Sequence, residues 1–460
     1  MARRLALAVF ADVRGGRYAE DALSSRLDAH TSLGREDRAL ATELVYGVLR
    51  WTGRLDRIIA SCSSHPSAKI APQVRDILRV AVYQMFLLDR IPDHAAVDEA
   101  VTLARMEFGS KTAGFVNAVL RRAVREKTSL DPLPGDEIDS LSVYYSHPKW
   151  LTARWIAELG LHDAKQVLAL HNTRAPMTLR ANSLKVTRGE LAENFRKHGF
   201  SVEESDCAPF GLRLMGARVP ARTLPGYAEG LFAGQDVASQ MIAPLLTVGP
   251  GERILDVCAA PGGKTAHLAA LTGNEVSIVA LEADPSRLTA TEANLKRLGV
   301  TCAELIRADA ADARVLGGLG TFDRILVDPP CSGLGVLRHN PETKARVARG
   351  DLPKYAAKEL EILEAASTVL KSGGILVYSV CTPMREETLS VVDTFLHRHP
   401  NFQVIPIGEE EVGDPGLVRS EGFFCSFPPP GREPMDGFFA ARMRRLGAVA
   451  DNRVHLSRSA

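Results

Sequence analysis

The chain has 460 residues, 45% of them hydrophobic and 24% charged, which is too long for one core and calls for two to four domains of ordinary water-soluble composition. No apolar run approaches the ~20 residues of a membrane helix, and seven scattered cysteines have neither disulfide nor zinc spacing, which fits a reducing cytoplasm. The net charge of +1 hides an asymmetry, because residues 1–130 hold 20 Lys and Arg against 15 Asp and Glu while the remainder holds 36 against 40. A basic front half suggests a polyanionic partner, and a solvated helical surface is the alternative.

Residues 1–10 carry a basic pair and a short apolar run, then pass into helical spacing over 11–23 without a cleavage site, as a folded helix does and a signal peptide does not. In residues 36–50 the apolar side chains Leu40, Leu44, Val45, Val48 and Leu49 form a one-sided stripe. Residues 73–88 are apolar around more of their circumference and should form the central helix. Asp93 is placed to cap a helix over 94–107, and 114–126 completes an all-helical region spanning 1–130. The segments RRLALAVF, RALATELVYGVLRW, ILRVAVYQMFLLDRIPDHAAVDEAV and GFVNAVLRR, in that order, resemble a NusB-type RNA-binding helical domain. That resemblance implies phosphate contacts from Arg3, Arg4, Arg121 and Arg122, with solubilising the bundle as the alternative for some of them.

Residues 131–147, with DPLPGDE, read as a linker. Helices near 150–159, 162–172 and 190–197, with strands near 178–182, 201–207 and 212–214, outline a small α+β module over 148–232. Arg180 and Asn182 on its first strand are candidate RNA contacts, or else edge residues without a role. A helix at 235–246 then leads into a regular alternation, with strands at 254–258, 276–282, 303–307, 324–328 and 375–380 and helices at 263–272, 285–298, 354–370 and 385–398. This is the pattern of an α/β doubly wound, Rossmann-like parallel sheet over 233–445. Residues 437–443 supply a last strand at an antiparallel edge, and 446–460 form a flexible tail.

ILDVCAAPGGKT at 254–265 is a strand, a two-glycine turn and a helix start, in which Gly262 and Gly263 let backbone approach a ligand closely. It fits neither GxGxxG nor the Walker pattern. Glu282, ending the next strand about twenty residues on, is placed to accept ribose hydroxyls, and Asp309, ending the third, to border an adenine or to cap a helix. With no phosphate-binding pattern, S-adenosylmethionine is favoured over a nucleotide diphosphate.

FDRILVDPPCSGLG and ILVYSVCT each end an apolar run with a cysteine, Cys331 or Cys381. Chemistry in an open parallel sheet sits beyond the carboxyl ends of its strands, so the two thiols can face one pocket. LDVCAAPGGKT, LVDPPCSG and YSVCT, in that order, resemble the RNA cytosine-5 methyltransferase family, which places an RRM-like module before its catalytic domain. The aromatic signature of a base-stacking RRM is missing from this module. The resemblance implies an enzyme forming 5-methylcytosine in small-subunit (16S) ribosomal RNA, cytoplasmic and monomeric, without metal or membrane. Cys381 would add to C6 of the cytosine and Cys331 would assist product release, with Asp328 and Lys264 holding the base. Cys258, Ala259, Ala260, Pro261, Gly262, Gly263, Lys264, Glu282, Asp309 and Asp328 would surround the methyl donor. Val380-Cys381-Thr382 departs from the family's usual TCS but keeps the thiol and a hydroxyl. A transfer RNA substrate and an inactive RNA-binding scaffold are the alternatives. An amino-group methyltransferase is set aside because cysteine, not an aromatic, follows Pro330.

Overall fold

The apolar stripes of the front segment fold into helices in the computed structural model, which describes residues 1–66, 69–126, 137–216, 220–428 and 433–447. The chain divides into two units, one of Met1–Ala175 with Leu337–Arg349 and one of Pro176–Val336 with Gly350–Ala460.

In the first unit the helices are Ala2–Arg14, Ala19–Ala29, Arg35–Cys62, Pro72–Leu87 and Asp93–Glu126, the last broken at Gly109. Leu44, Val45, Val48, Ile77, Leu78 and Val82 are buried along the segments that periodicity marked out, and Leu55 and Ile59 extend the burial further along helix Arg35–Cys62. The helical spacing read through 11–23 is interrupted, because the chain turns at Gly15 and Gly16 before the second helix begins. Helix Glu137–Tyr144 occupies part of the expected linker; the linker's residues 131–136 and the tail's 448–460 lie outside the described residues. Helix Lys149–His171, broken at Gly160, joins this unit rather than the strands that follow it.

A later piece of chain completes the bundle. Glu342 accepts from the Ala19 amide at 2.8 Å, and Lys344 donates to Asn172 Oδ1 at 2.7 Å and the Arg50 carbonyl at 3.4 Å. Arg346 donates to the carbonyls of Val13 and Arg17. Both Glu342 and Lys344 are buried, so this segment is part of the interior and not a passing loop.

In the second unit, β1 (Met177–Ala181), β2 (Ser201–Glu204), β3 (Gly211–Met215) and β4 (Phe232–Gly234) form an antiparallel sheet in the order β2-β3-β1-β4. Helix Arg188–Lys197 packs on it, begun by a reciprocal capping box between Thr187 and Glu190. The helix expected at 235–246 is two short turns, Val237–Gln240 and Ala243–Leu246, interrupted ahead of Pro244.

The large sheet contains β5 (Arg253–Val257), β6 (Ser277–Glu282), β7 (Ala303–Arg307), β8 (Phe322–Val327), β9 (Leu370–Val380), β10 (Phe402–Val404), β11 (Phe424–Cys425) and β12 (Phe439–Arg445). Its order is β10-β12-β9-β8-β5-β6-β7, parallel from β9 to β7. β12 is antiparallel to β9 as expected, but it is not the edge: β10 and β11 pair with it on its far side. Helices Gly263–Leu271, Pro285–Leu298, Leu352–Ser367 and Leu389–Arg398 connect the strands. β5 and β8 are neighbours although β6 and β7 come between them in sequence. That reversal of order opens a crevice beyond their carboxyl ends.

Candidate active site

Every segment singled out by its motif leaves a strand into this crevice: residues 258–264 from β5, 328–335 from β8 and Cys381 from β9. The first is a rigid turn. Cys258 has φ 62, a left-handed conformation uncommon for a residue with a Cβ. Inside the turn the Gly262 amide donates to Ala259 O at 2.7 Å, and the Ala259 amide ties the turn to β6 by donating to Leu281 O at 2.8 Å. From outside, Arg287 donates to Ala260 O and Asn294 to Pro261 O, at 3.1 and 3.0 Å. Gly262 has φ 90, and a Cβ there would lie 3.0 Å from Thr291 Cγ2, so glycine is what lets helix Pro285–Leu298 press against the turn.

Glu282, at the end of β6, is 5% exposed. Its Oε1 accepts from the Asp284 amide at 3.0 Å. Its Oε2 has no hydrogen bond among the described residues, and the Arg287 guanidinium is 3.5 Å away. A buried carboxylate oxygen with unused lone pairs suits a ribose hydroxyl donor. Asp309, at the end of β7, is largely exposed and accepts from the Ala311 amide at 3.0 Å. Asp256 is buried within β5, accepts from Thr265 Oγ1 at 2.5 Å, and is pushed up to about 7 by burial.

On the other side of the crevice Cys331 Sγ and Cys381 Sγ are 3.1 Å apart. Lys264 Nζ is 2.6 Å from Asp328 Oδ2 and lies over the Phe438 ring, and Ser379 Oγ donates to Asp328 Oδ1 at 2.9 Å. Burial alone would depress the Lys264 amine, but the Asp328 carboxylate bonded to it holds it above its ordinary value. The neighbouring Cys381 thiol and burial raise Cys331 well above an ordinary thiol. Burial and the Glu282 carboxylate push Cys258 up to about 12, which leaves it inert. Lys264, Asp328, Cys331 and Cys381 are therefore brought together.

The layer under the thiols was not expected from the sequence. Glu387 is fully buried and accepts from the Ser332 amide at 2.6 Å, from Ser332 Oγ at 2.7 Å and from Thr382 Oγ1 at 3.1 Å. Tyr378 donates to the Glu387 carbonyl at 2.6 Å, and its hydroxyl is 3.1 Å from Glu359 Oε2. Nothing local marks Glu387, which lies in a charged stretch, REE, of the kind that ordinarily faces solvent. The only hint was a hydroxyl residue immediately after each cysteine, Ser332 and Thr382, both needing a partner once buried.

The candidate RNA contacts separate into two classes. Arg4, Arg121 and Arg122 are exposed and Arg3 is half-buried. Arg3 donates to Gln84, Arg121 to Asn117 and Arg122 to Glu126. Arg180 and Asn182 do not fit the RNA-contact reading. Arg180 is 1% exposed and donates to Gln235 Oε1 and the Gly263 carbonyl, while Asn182 donates to the carbonyls of Gly230 and Leu298. Arg180 joins β1 to the glycine turn, Asn182 joins the residue after β1 to Gly230 and to the end of helix Pro285–Leu298, and burial depresses Arg180 to about 9.

Three family models match the chain: 16S rRNA methyltransferase RsmB/F over residues 243–444, the NusB family over 1–125, and an RsmF/B-like ferredoxin-like domain over 147–220. A protein of Bacillus subtilis named "Probable ribosomal RNA small subunit methyltransferase B" is 34% identical, covering 90% of this chain and 92% of its own. The ribosomal RNA small subunit methyltransferase B of Pseudomonas putida is also 34% identical, covering 96% and 98%. Among solved structures, that of PH0851 has a TM-score of 0.83 at 25% identity, over 96% of this chain and 98% of that one. A methyltransferase homolog protein from Pyrococcus horikoshii has a TM-score of 0.58 at 27% identity, over 68% and 100%.

Proposed function

Because this chain belongs to the 16S rRNA methyltransferase RsmB/F family, an S-adenosylmethionine-dependent group of ribosomal RNA methyltransferases, we propose that it forms 5-methylcytosine in small-subunit ribosomal RNA through a transient cysteine adduct. The observation that carries this reading is the thiol pair, with Cys331 and Cys381 3.1 Å apart beside the Lys264–Asp328 ion pair.

When bound, S-adenosylmethionine supplies an electrophilic methyl group on a sulfonium. The turn 258–264 and Glu282 are the residues that would hold it, and the buried Glu282 Oε2, which has no hydrogen bond among the described residues, fits a ribose hydroxyl of an adenosyl group. C5 of cytosine is a poor nucleophile. Addition of the Cys381 thiolate to C6 forms a C–S bond and pushes an electron pair to C5, which then takes up the methyl group. A proton leaves C5, the C6–S bond breaks, and the thiolate departs with the bonding pair. Lys264, kept as an ammonium by Asp328, places a positive charge next to the forming thiolate. Cys331, kept protonated and 3.1 Å from Cys381, does not compete as nucleophile and is suited to give its proton to the departing Cys381 thiolate and so assist release, while the C5 proton passes to water. The target base has to leave its stack to reach the crevice.

The test incubates Cys381→Ala and Cys331→Ala with methyl donor and small-subunit ribosomal RNA, followed by a denaturing gel. Cys331→Ala should accumulate a covalent protein–RNA adduct and Cys381→Ala should form none. An adduct on Cys381→Ala would reverse the two roles. Methylation of transfer RNA alone, or no methylation by the unaltered protein, would reject the substrate or the activity.

A further inference from the structure

We propose that Glu387 is a positioning residue that sets the two thiols against each other by clamping the residue that follows each of them. Its carboxylate accepts from Ser332 at both the amide and the hydroxyl, and from the Thr382 hydroxyl, so the β8 and β9 loops share one acceptor. Ser332 Oγ also lies 3.0 Å from Thr382 Oγ1, which closes the triangle. Ser332, Thr382 and Glu387 are all buried, and Ser332 and Glu387 are 55 residues apart in sequence, so no local turn accounts for the arrangement.

A buried carboxylate is costly unless its lone pairs are used. Here three donors face it, and alanine in its place leaves all three without this acceptor, whereas an amide keeps an oxygen for the Ser332 N–H and obliges the two hydroxyls to turn and accept. The clamp has a fixed base, because the Tyr378 hydroxyl donates to the Glu387 carbonyl. Glu359 beside it is raised to about 10 by burial and by the Glu387 charge, and burial raises Glu387 too, with the Ser332 and Thr382 donors acting against that rise. The Gly335 amide adds a backbone tie by donating to Cys381 O at 3.0 Å. None of these groups reaches the crevice chemistry directly; they act through the loops.

The geometric part of this inference is independent of the cytosine chemistry, and only its effect on turnover rests on that reading. The experiment treats the full-length protein with diamide, whose N=N bond takes up the two thiol hydrogens as Cys331 and Cys381 form a disulfide, and follows the pair by peptide mass. The unaltered protein should cross-link. Glu387→Ala should cross-link at least about tenfold more slowly, within the loss of up to about a hundredfold that a 1 Å misplacement can produce, and Glu387→Gln should be slowed by less. Their affinity for S-adenosylmethionine should be unchanged, and kcat should fall with KM for RNA held. Cross-linking at the unaltered rate in both variants, or none in the unaltered protein, overturns the clamp. Should both variants lose cofactor binding through misfolding, the double variant Ser332→Ala/Thr382→Val removes both hydroxyl donors from the other end and must show the same slowing. A clamp that behaves as expected in a protein that never methylates cytosine would instead count against the function proposed above.

Discussion

At the scale of single residues, the acidic pair under the thiols makes a pH-dependent contribution to stability. Glu359 is raised from 4.5 to about 10 in the folded chain, so the folded state keeps a proton that the unfolded state releases above 4.5. Stability from this group is therefore greatest at low pH and falls as pH rises from 4.5 through about 10. Glu359→Gln cannot ionise, so its melting temperature should gain on that of the unaltered protein progressively across the same window. Thermal unfolding of the two proteins side by side over a pH series checks this. A constant difference would mean that Glu359 is ionised in the folded state throughout that window, as it is in the unfolded chain.

At the scale of elements, the loop after β8 depends on a close backbone crossing. The Gly437 amide donates to Gly335 O at 2.8 Å, and a Cβ on Gly335 would lie 1.8 Å from Gly437 O. Gly335→Ala must push the β8 loop away from both β12 and the Cys381 carbonyl, at a cost of about 1–3 kcal/mol for an overpacked site. Denaturant unfolding should show that loss, and methylation should fall more than cofactor affinity because the displaced loop carries Cys331. The strands of the large sheet were legible because each is an apolar run closed by a polar turn, and the chemistry-bearing residues stand at those turns. Strands of three residues or fewer, such as β4, β10 and β11, have no period long enough to read. The breaks at Gly109 and Gly160 were legible by contrast, since they fall between the helices read at 94–107 and 114–126 and at 150–159 and 162–172. Four of the site's key side chains, Lys264, Asp328, Cys331 and Cys381, could be named from their motifs. Glu387 and Ser379 could not, because a long-range hydrogen bond leaves no mark on the residues around it.

At the scale of the whole molecule, the arginines divide by burial into two classes with opposite expected behaviour. Arg121→Gln/Arg122→Gln should weaken RNA binding and reduce the salt slope by up to about 2, roughly one per lost phosphate contact, with the fold intact. Arg180→Met should instead lower the melting temperature, by about 1–3 kcal/mol of lost stability for the buried partners it abandons, and leave the salt slope alone. Binding isotherms at several salt concentrations beside melting curves separate the two. The first unit also has a property set by the order in which the chain is made. Its amino-terminal helices emerge from the ribosome first, yet the Ala19 amide and Asn172 find their Glu342 and Lys344 partners only after residue 344 has been synthesised. The earliest-made part of the protein is thus among the last to be finished. A nascent chain stopped before residue 342 would carry these helices with the Ala19 amide and Asn172 still lacking the buried partners that complete the bundle.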